Sequence, residues 1–396
     1  MNTTAQANRK HIVIYGETNS GKSTLFNSIL GTETSIVSDV SGTTTDPVIK
    51  SMELIGYGPV VIIDTAGIND YSVLGKTRME KTKSVLDRTD FAIYTINLSD
   101  YDCNEFLKFK AEFEKRKIPY MIVLTKIDLA DKEAVCEFKA KYKGCVEFNA
   151  NINKSANDLK KDLIKRLSEI SDYETPLIGG LVPRGSIVIL VIPVDSEAPK
   201  GRLILPQVQL IRDCLDNGIR CIVTDEIYLK ETIEECKNVA LVITDSQAFK
   251  VVSEIVPKNI KLTSFSMLMA RQKGDIYKLI EGSKALKNLD DGANILIAEG
   301  CTHNKNHEDI GTVKIPKGLM KKEGKNFNFD FVNGHDFPSD LNKYDMIIHC
   351  GGCMVTEREY KNRINKSINN NVPITNYGVA LAYISGILDR CIEIFS

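Results

Sequence analysis

The segment Gly16-Glu17-Thr18-Asn19-Ser20-Gly21-Lys22-Ser23 follows a short β-rich run at 11–15 and precedes a helical stretch at 24–30. It fits the pattern G-x-x-x-x-G-K-S, in which glycines let backbone N–H groups point at phosphates. The lysine reaches the β- and γ-phosphates, and the serine can bind Mg²⁺. The sequence therefore predicts a phosphate site in a strand–loop–helix unit, formed by Gly16, Asn19, Ser20, Gly21, Lys22, Ser23 and Thr24.

Further apolar runs of strand length alternate with amphipathic stretches over the first part of the chain. The runs are 60–63, 91–96 and 120–124, one of the amphipathic stretches is 105–117, and a closing helix is expected at 159–170. This alternation is typical of a parallel sheet covered by helices. We expect an α/β nucleotide-binding domain over residues 1–173.

Two more segments carry the chemistry expected near the γ-phosphate. Asp64-Thr65-Ala66-Gly67 follows a strand, so that Asp64 can hold Mg²⁺ through water and the Gly67 N–H can sense the phosphate. Between this segment and the phosphate loop, Thr44, with Thr43 as the next choice, is expected to close over Mg²⁺. The predicted catalytic set is Lys22, Thr44, Asp64 and Gly67.

The base specificity rests on Thr125-Lys126-Ile127-Asp128, which follows the next strand. Asp128 would accept both guanine N–H groups, an arrangement that adenine does not offer. Guanine-binding proteins usually have asparagine where Thr125 stands, and the later loop Asn149-Ala150 is also altered from the usual Ser-Ala-Lys. The prediction is a GTP/GDP site with Thr125, Lys126, Asp128, Asn149 and Ala150 around the base.

Composition narrows the classes of partner. The 396 residues carry 51 basic and 52 acidic side chains, a net charge of −1, which gives no argument for nucleic acid or an anionic membrane. No apolar run approaches the ~20 residues that span a bilayer. The polar start of the sequence lacks the apolar core of a signal peptide. We expect a cytoplasmic protein that binds neither nucleic acid nor membrane.

Beyond a linker rich in glycine and proline at 171–185, two smaller α/β regions are predicted, each with a mainly parallel sheet. The first covers 180–265, with strands at 187–194, 220–223, 239–244 and 260–262. A sheet so small leaves edges uncovered, so pairing into a homodimer is plausible. The second covers 266–396, with a long helix at 266–289, strands at 294–298, 327–332, 346–349 and 373–376, and helices at 356–369 and 379–394.

Three of the ten cysteines have the spacing of ligands. They lie in Cys301-Thr302-His303 and His349-Cys350-Gly351-Gly352-Cys353, each just past the end of a predicted strand. Ligand sites in parallel sheets lie at this carboxyl edge, so the two halves are expected to converge. Three thiolates suit an iron–sulfur cluster with one iron left open. A zinc site formed by the three cysteines and one histidine is the main alternative.

Residues 10–170 resemble the translation-factor-like GTPases, particularly the branch with the tRNA-modifying TrmE/MnmE proteins. In that branch an asparagine in the phosphate loop accompanies a bound K⁺, and Asn19 stands at that position. An asparagine that bonds to its own loop is the alternative interpretation. The catalytic glutamate of these relatives has no counterpart at 68–76, where Asp70 is a possible substitute. The resemblance implies K⁺-stimulated GTP hydrolysis, and the absence of the glutamate predicts that it is slow.

The full chain resembles the HydF family of GTPases that mature FeFe-hydrogenases. The marks are C-x-H, then H-C-x-x-C, together with Gly42–Pro47 and Asp309–Pro316. The resemblance implies a 4Fe–4S cluster held by Cys301, Cys350 and Cys353, with His303 or His349 as fourth ligand or supporting residue. His335, past another strand, is a further candidate. It also implies a homodimer that receives a diiron subcluster precursor from radical-SAM maturases and delivers it to apo FeFe-hydrogenase.

Two other functions stay open at this point. A K⁺-dependent GTPase of RNA modification or ribosome assembly, with structural zinc, predicts a basic face beyond residue 170, but lysine and arginine are dispersed there. A sensor whose cluster gates GTP hydrolysis is the third hypothesis. For the scaffold hypothesis, GTP hydrolysis is expected to bias a conformational equilibrium through segments around Thr44 and Gly67.

Overall fold

The structure is a computed structural model, and it describes residues 8–31, 47–65, 84–100, 103–170, 175–194, 201, 203–300 and 309–396. The chain forms two compact units, Met1–Asp172 and Tyr173–Ser396. Each contains parallel sheet covered by helices, so the predicted α/β class is confirmed. No helix in the described ranges is long and apolar enough to cross a membrane.

The first unit contains a six-stranded sheet in the order β2-β3-β1-β4-β5-β6. All neighbouring strands are parallel except β2 and β3. The strands are β1 Lys10–Gly16, β2 Val48–Leu54, β3 Gly58–Asp64, β4 Phe91–Asn97, β5 Tyr120–Thr125 and β6 Val146–Glu147. The central strands are apolar almost throughout because both faces are covered.

Four helices of this unit are described along their whole length: α1 Lys22–Leu30, α2 Cys103–Lys115, α3 Lys132–Lys141 and α4 Asn153–Glu169. Two separate apolar clusters form, one on each face of the sheet. Alternate residues of β1 point to opposite clusters, as Ile12 and Val13 do. This layering leaves the carboxyl ends of β1, β3, β4 and β5 at one edge, where ligands bind in open parallel sheets.

The second unit starts with a four-stranded parallel sheet in the order β10-β9-β7-β8. Its strands are β7 Ile187–Val191, β8 Arg220–Thr224, β9 Val239–Thr244 and β10 Lys261–Ser264. The accompanying helices are α5 Leu205–Asp216, α6 Leu229–Glu235, α7 Phe249–Ile255 and α8 Phe265–Lys273.

A second four-stranded parallel sheet comes next, in the order β12-β11-β13-β14. Its strands are β11 Asn294–Glu299, β12 Asn328–Asn333, β13 Met346–His349 and β14 Ile374–Asn376. The helices are α9 Ile276–Ser283, α10 Ile315–Glu323, α11 Glu357–Asn369, α12 Tyr377–Ile384 and α13 Leu388–Ile392, and a π-helical turn at Ile310–Lys314 precedes α10.

The two sheets of the second unit share one apolar core. A single cluster of buried side chains extends from Leu177 to Phe395 and includes both sets of central strands. Arg390 on α13 donates to the carbonyl oxygens of Ser253, Val256 and Pro257. These bonds link α13 to the α7 region, which accompanies the β10-β9-β7-β8 sheet. The predicted boundary at 265/266 between two domains stays a prediction, since these contacts join the regions within one compact unit.

Two predicted helices are wrong in length. The expected helix 266–289 is divided into α8 and α9 by Gly274, where a Cβ would lie 2.6 Å from the Tyr360 ring. Asp275 then caps α9 by accepting from the Lys278 N–H. The expected helix 379–394 is divided at Gly386, whose φ of 74° does not fit a helix.

Candidate functional site

The predicted phosphate loop joins β1 to α1, as the pattern required. Lys22 is buried, and its Nζ donates to the carbonyl oxygens of Gly16 at 2.8 Å and Glu17 at 2.6 Å. Burial lowers the pKa of Lys22, and the nearby Asp64 carboxylate opposes that effect. The lysine side chain is therefore held across the phosphate loop, where its positive charge would contact a bound phosphate.

The strained backbone of the loop explains its glycines. Gly16 has a φ of 146°, and a Cβ there would lie 2.3 Å from the Thr95 hydroxyl, so a side chain does not fit. Gly21 caps α1 in the left-handed region, and Asn19 takes a φ of 62°. Asparagine tolerates this conformation better than most residues. The Asn19 side chain is exposed.

The predicted Mg²⁺ residues are in contact. Ser23, on the first turn of α1, donates from Oγ to Oδ2 of Asp64 across 2.7 Å. Asp64 is the last residue of β3 and is buried. A hydroxyl and a carboxylate side by side at the carboxyl edge are the hard oxygen ligands that Mg²⁺ prefers.

Three hydroxyl groups tie the phosphate loop to neighbouring strands. The Thr125 hydroxyl donates to the Ser20 carbonyl oxygen across 2.7 Å, and the Ser20 and Thr95 hydroxyls are 2.6 Å apart. All three residues are buried. Thr125 stands where asparagine is usual, and its hydroxyl links the base-binding and phosphate-binding segments. Sequence reasoning missed Thr95, although its place near the end of a strand could have indicated it.

The predicted base-binding segment begins with Thr125, the last residue of β5. Lys126 has a φ of 50° and is exposed, as is Asp128, so both side chains can reach a ligand. The Asn149 backbone N–H donates to Ser155, and its side-chain oxygen accepts from the Asn151 N–H. Asn149 thus stabilises its own turn, and Ala150 lies within that turn. Thr24 is exposed on α1.

Several predicted residues lie outside the described part of the chain: Thr43, Thr44, Gly67, Asp70, Cys301 and His303. Their predicted roles stay predictions.

The second cysteine segment begins where β13 ends. β11 and β13 are adjacent and parallel, with Ala298 opposite His349. The Gly300 N–H, one residue past β11, donates to Sγ of Cys350 across 3.0 Å, and the Gly352 N–H lies 3.4 Å from the same sulfur. Gly300, the residue before the first half of the motif, therefore lies against the first cysteine of the second half at one sheet edge. Cys301 itself lies outside the described residues, so the expected convergence of the two halves stays a prediction.

The two glycines between Cys350 and Cys353 are required by space and conformation. Gly352 has a φ of 71°, and a Cβ there would lie 2.9 Å from the Tyr360 ring. A Cβ on Gly351 would lie 3.2 Å from Oγ of Ser266. That hydroxyl is buried and has no hydrogen-bond partner among the described residues. A group bound at this loop could satisfy it.

Lys273 is a residue that sequence reasoning missed. It ends α8, is 4% exposed, and donates from Nζ to the carbonyl oxygens of Gly352 at 3.1 Å, Cys353 at 3.1 Å and Val355 at 3.0 Å. Burial lowers the pKa of Lys273 to about 8, against the opposing effect of the nearby cysteines. A lysine at a helix end ordinarily indicates a solvated side chain, so the sequence held no signal.

His349 is fully buried and uses both ring nitrogens. Nδ1 lies 2.9 Å from the Cys350 carbonyl oxygen, so it carries the proton and donates. Nε2 then accepts from Nη1 of Arg363 across 2.9 Å. Arg363 also pairs with Glu359 at 2.5 Å, and Glu359 meets Nδ1 of His335 at 3.0 Å. Of the two roles left open for His349, these contacts favour the supporting one.

The loop fits an anionic, sulfur-bound group. Backbone N–H groups facing a cysteine sulfur stabilise its thiolate form, and the buried ammonium of Lys273 adds positive charge beside it. Within the described ranges no set of three or more histidine, cysteine or acidic side chains is placed to hold a metal. Cys301 and His303 lie outside those ranges.

The first unit has the fold and motifs of a P-loop GTPase domain, and a family model described as 50S ribosome-binding GTPase matches residues 11–126. Two further models match the second unit: Hydrogen maturase F dimerization domain over 177–274 and Hydrogen maturase F tetramerization domain over 277–394. Together these two cover more than half of the chain. The chain belongs to the hydrogen maturase F family.

Curated GTPases are similar to part of the chain. The tRNA modification GTPase MnmE of Endomicrobium trichonymphae is 35% identical over 163 residues, 39% of this chain and 34% of that protein. The GTPase Der of Nitratiruptor sp. is 34% identical over 190 residues, 45% of this chain and 40% of that protein. The chain thus spans well under half of the length of either relative.

Solved structures give a weaker likeness. A crystal structure of Era in complex with MgGDPNP and a segment of 16S ribosomal RNA is 26% identical, with a TM-score of 0.33, and the match covers 40% of this chain and 56% of that chain.

Proposed function

We propose that this protein binds and hydrolyses GTP in its first unit and holds a 4Fe–4S cluster in its second. On this proposal it serves as a scaffold for a diiron subcluster precursor. The observation that carries the cluster assignment is the hydrogen bond from the Gly300 N–H to Sγ of Cys350. It brings the residue that directly precedes Cys301 in the sequence against the first sulfur of the C-x-x-C segment.

The nucleotide half of the proposal is supported by three contacts. Lys22 lies across the phosphate loop, Ser23 meets Asp64, and Thr125 ties the base-binding segment to that loop. Lys22 would bind the β- and γ-phosphates, and Ser23 and Asp64 would hold Mg²⁺ directly and through water. Thr44 and Gly67 would sense the γ-phosphate and connect hydrolysis to a conformational change. Exposed Asp128 would read guanine.

A bound K⁺ at Asn19 completes this half. The left-handed backbone and exposed side chain of Asn19 are compatible with an oxygen ligand turned toward the phosphates. GTP turnover should then be faster in KCl than in NaCl of equal concentration, and Asn19→Ala should remove the difference. Equal rates in the two salts for the unaltered chain would contradict the K⁺ site.

In the second unit, Cys301, Cys350 and Cys353 would ligate the cluster, which when bound supplies iron chemistry at one open coordination site. His303 is then the motif histidine left for that site, because His349 has both ring nitrogens occupied. The residues of this chain orient the sulfurs: Gly300 and Gly352 point N–H groups at Cys350, and His349 donates to its carbonyl oxygen.

Membership of the hydrogen maturase F family supports the cargo and the partners. We propose that radical-SAM maturases supply the diiron precursor and that apo FeFe-hydrogenase receives it. The descriptions of the two second-unit family models support assembly of several copies, as a homodimer or a tetramer. Nucleotide state would alter the affinity for one of these partners, since a ligand shifts an equilibrium only by its differential affinity for the two states.

Anaerobic iron and sulfide analysis followed by EPR of the reduced protein tests the central claim. About four iron and four sulfide per chain with a reduced-cluster signal is expected, and each of Cys301→Ala, Cys350→Ala and Cys353→Ala should abolish the signal. Cys391→Ala is the matched control, because this buried cysteine lies outside the motif. Stoichiometric zinc without sulfide would contradict the cluster and favour a structural metal site.

A further inference from the structure

Helix α8 contacts the C-x-x-C loop at both of its ends. Near its start, Ser266 lies beside Gly351, and at its last residue Lys273 reaches three carbonyl oxygens of the loop. The helix follows β10 directly. It therefore connects an edge strand of the β10-β9-β7-β8 sheet to the cysteine segment that follows β13 in the other four-stranded sheet.

The contacts of Lys273 are unusual for a buried charge. Its Nζ is bonded to the carbonyl oxygens of Gly352, Cys353 and Val355. Among the described residues no carboxylate forms an ion pair with it, and Glu357 attracts it only weakly from a longer distance. Burying an ammonium without a counter-charge is costly, and neutral carbonyl dipoles offset only part of that cost. A close negative charge can be supplied by whatever the adjacent cysteine sulfurs hold.

The position of the three acceptors matters as much as the charge. They lie on successive parts of the segment that leaves Cys350, so one side chain fixes the path of the chain through Gly352, Cys353 and Val355. Gly352 lacks a Cβ and is conformationally permissive, so ordering this segment costs conformational entropy. The three hydrogen bonds from Lys273 help to offset that cost. An ammonium with three donors suits three converging carbonyls, since each N–H can serve one of them.

We propose that Lys273 is the positioning residue of the cysteine loop: its ammonium holds the loop in shape and is the positive partner of the anionic sulfur-bound group. This inference rests on the proposed cluster site for its electrostatic part only. The part that concerns the loop holds for the metal-free protein as well.

The loop is tested without metal. Hydrogen exchange, followed by mass spectrometry on peptides that cover 350–356 of the metal-free full chain, should become at least about tenfold faster in Lys273→Met. Lys284→Met is the matched control, because Lys284 is exposed and its replacement removes the same charge from the same unit. Unchanged exchange of the loop in a folded Lys273→Met would overturn the positioning role.

The charge is tested on the reconstituted protein. Lys273→Met should lower the midpoint potential of the cluster, because removing a nearby positive charge favours the oxidised form. It should also shorten the lifetime of the cluster against an iron chelator at least about threefold. If Lys273→Met does not fold, the same measurements are made on Lys273→Gln, which keeps two N–H donors but carries no charge. Wild-type potential and lifetime in the neutral variants would overturn the electrostatic role.

The two proposals fail differently. Wild-type protein that takes up no iron would contradict the cluster site, while faster loop exchange in Lys273→Met would still support the positioning role. Wild-type protein that takes up a full cluster, with no effect of either Lys273 variant on loop exchange, potential or lifetime, would contradict this inference and leave the cluster site intact.

Discussion

Arg363 donates a hydrogen bond from Nη1 to Nε2 of His349 across 2.9 Å, and both side chains are buried. Since the Nδ1 proton of His349 goes to the Cys350 carbonyl oxygen, the imidazole is fixed in one tautomer. From sequence, a histidine beside a cysteine motif can be either a metal ligand or a supporting residue. Its contacts instead make it a link between a buried arginine and the backbone that carries Cys350.

His349→Ala should therefore retain the proposed cluster. The substitution leaves a buried N–H of Arg363 without its acceptor, which costs about 1–3 kcal/mol of folding free energy. Iron content and the EPR g-values should stay those of the unaltered protein, while the urea midpoint falls. A folded His349→Ala chain that loses the reduced-cluster signal would instead identify His349 as a ligand.

The nucleotide and cysteine sites belong to separate compact units, and the hydrogen bonds of Lys22 go to its own loop. Lys22→Ala should abolish GTP turnover and leave iron and sulfide content unchanged. The measurements are phosphate release and metal analysis on the same preparation. Lys50→Ala, on β2 of the same unit, is the matched control and should hydrolyse GTP normally. Failure of a folded Lys22→Ala chain to take up iron would show that the sites are coupled.

Thr125→Val keeps the shape of the side chain and removes the hydroxyl that holds the Ser20 carbonyl oxygen. We expect nucleotide affinity to fall several-fold, since one buried hydrogen bond contributes about 1 kcal/mol and the phosphate loop would lose a restraint. Thr125→Ser keeps the hydroxyl and should bind nearly as well as the unaltered protein. Isothermal titration with GDP compares the three chains, and equal affinity for Thr125→Val would contradict the restraint.

Glu359 predicts a pH effect in the second unit. Burial by itself raises the pKa of Glu359, but the His335 hydrogen bond and the Arg363 charge outweigh it and lower the pKa from 4.5 to about 2. A depressed pKa means stability that is present above the ordinary value and lost as pH falls from about 5 toward 2. The contribution of this ionised carboxylate to the free energy of unfolding is on the order of 3 kcal/mol. The Glu359 side chain is only 5% exposed, so solvent screens its interactions little.

Glu359→Gln should be less stable than the unaltered chain at pH 7, because Arg363 loses its counter-charge. The informative quantity is the slope: urea unfolding followed between about pH 5 and 3 should show a shallower loss of stability in the variant. Glu357→Gln, half-buried on the same helix and paired with Lys361, serves as control. Parallel slopes for Glu359→Gln and the unaltered protein would contradict the depressed pKa.

Apolar runs made the central strands predictable, because buried parallel strands are hydrophobic on both faces. β1, β4, β9, β11 and β13 lie where the runs indicated. β2 was missed because Lys50 and Glu53 interrupt its apolar residues, as an exposed antiparallel edge strand allows. The breaks at Gly274 and Gly386 could not be inferred from periodicity, since each depends on a distant contact or a single backbone angle.

The site residues divide in the same way. Lys22, Ser23 and Asp64 belong to local patterns whose geometry the loop itself enforces, so their contacts were predictable. Lys273 was not, because it reaches residues 79 to 82 positions away in the chain. The Thr125 link is intermediate: the residue was identified from its motif, but its bond to Ser20 needed the packed strands.

The division between the two second-unit family models falls at 274/277, in the interruption between α8 and α9. A fragment cut at that point would keep every cysteine of the motif and discard the helix that supplies Ser266 and Lys273. It would also expose apolar surface that the two sheets now cover for each other. Dissecting this chain by its sequence modules would thus separate the proposed cluster ligands from the helix that supports their loop, and metal uptake by the isolated piece would underestimate that of the whole chain.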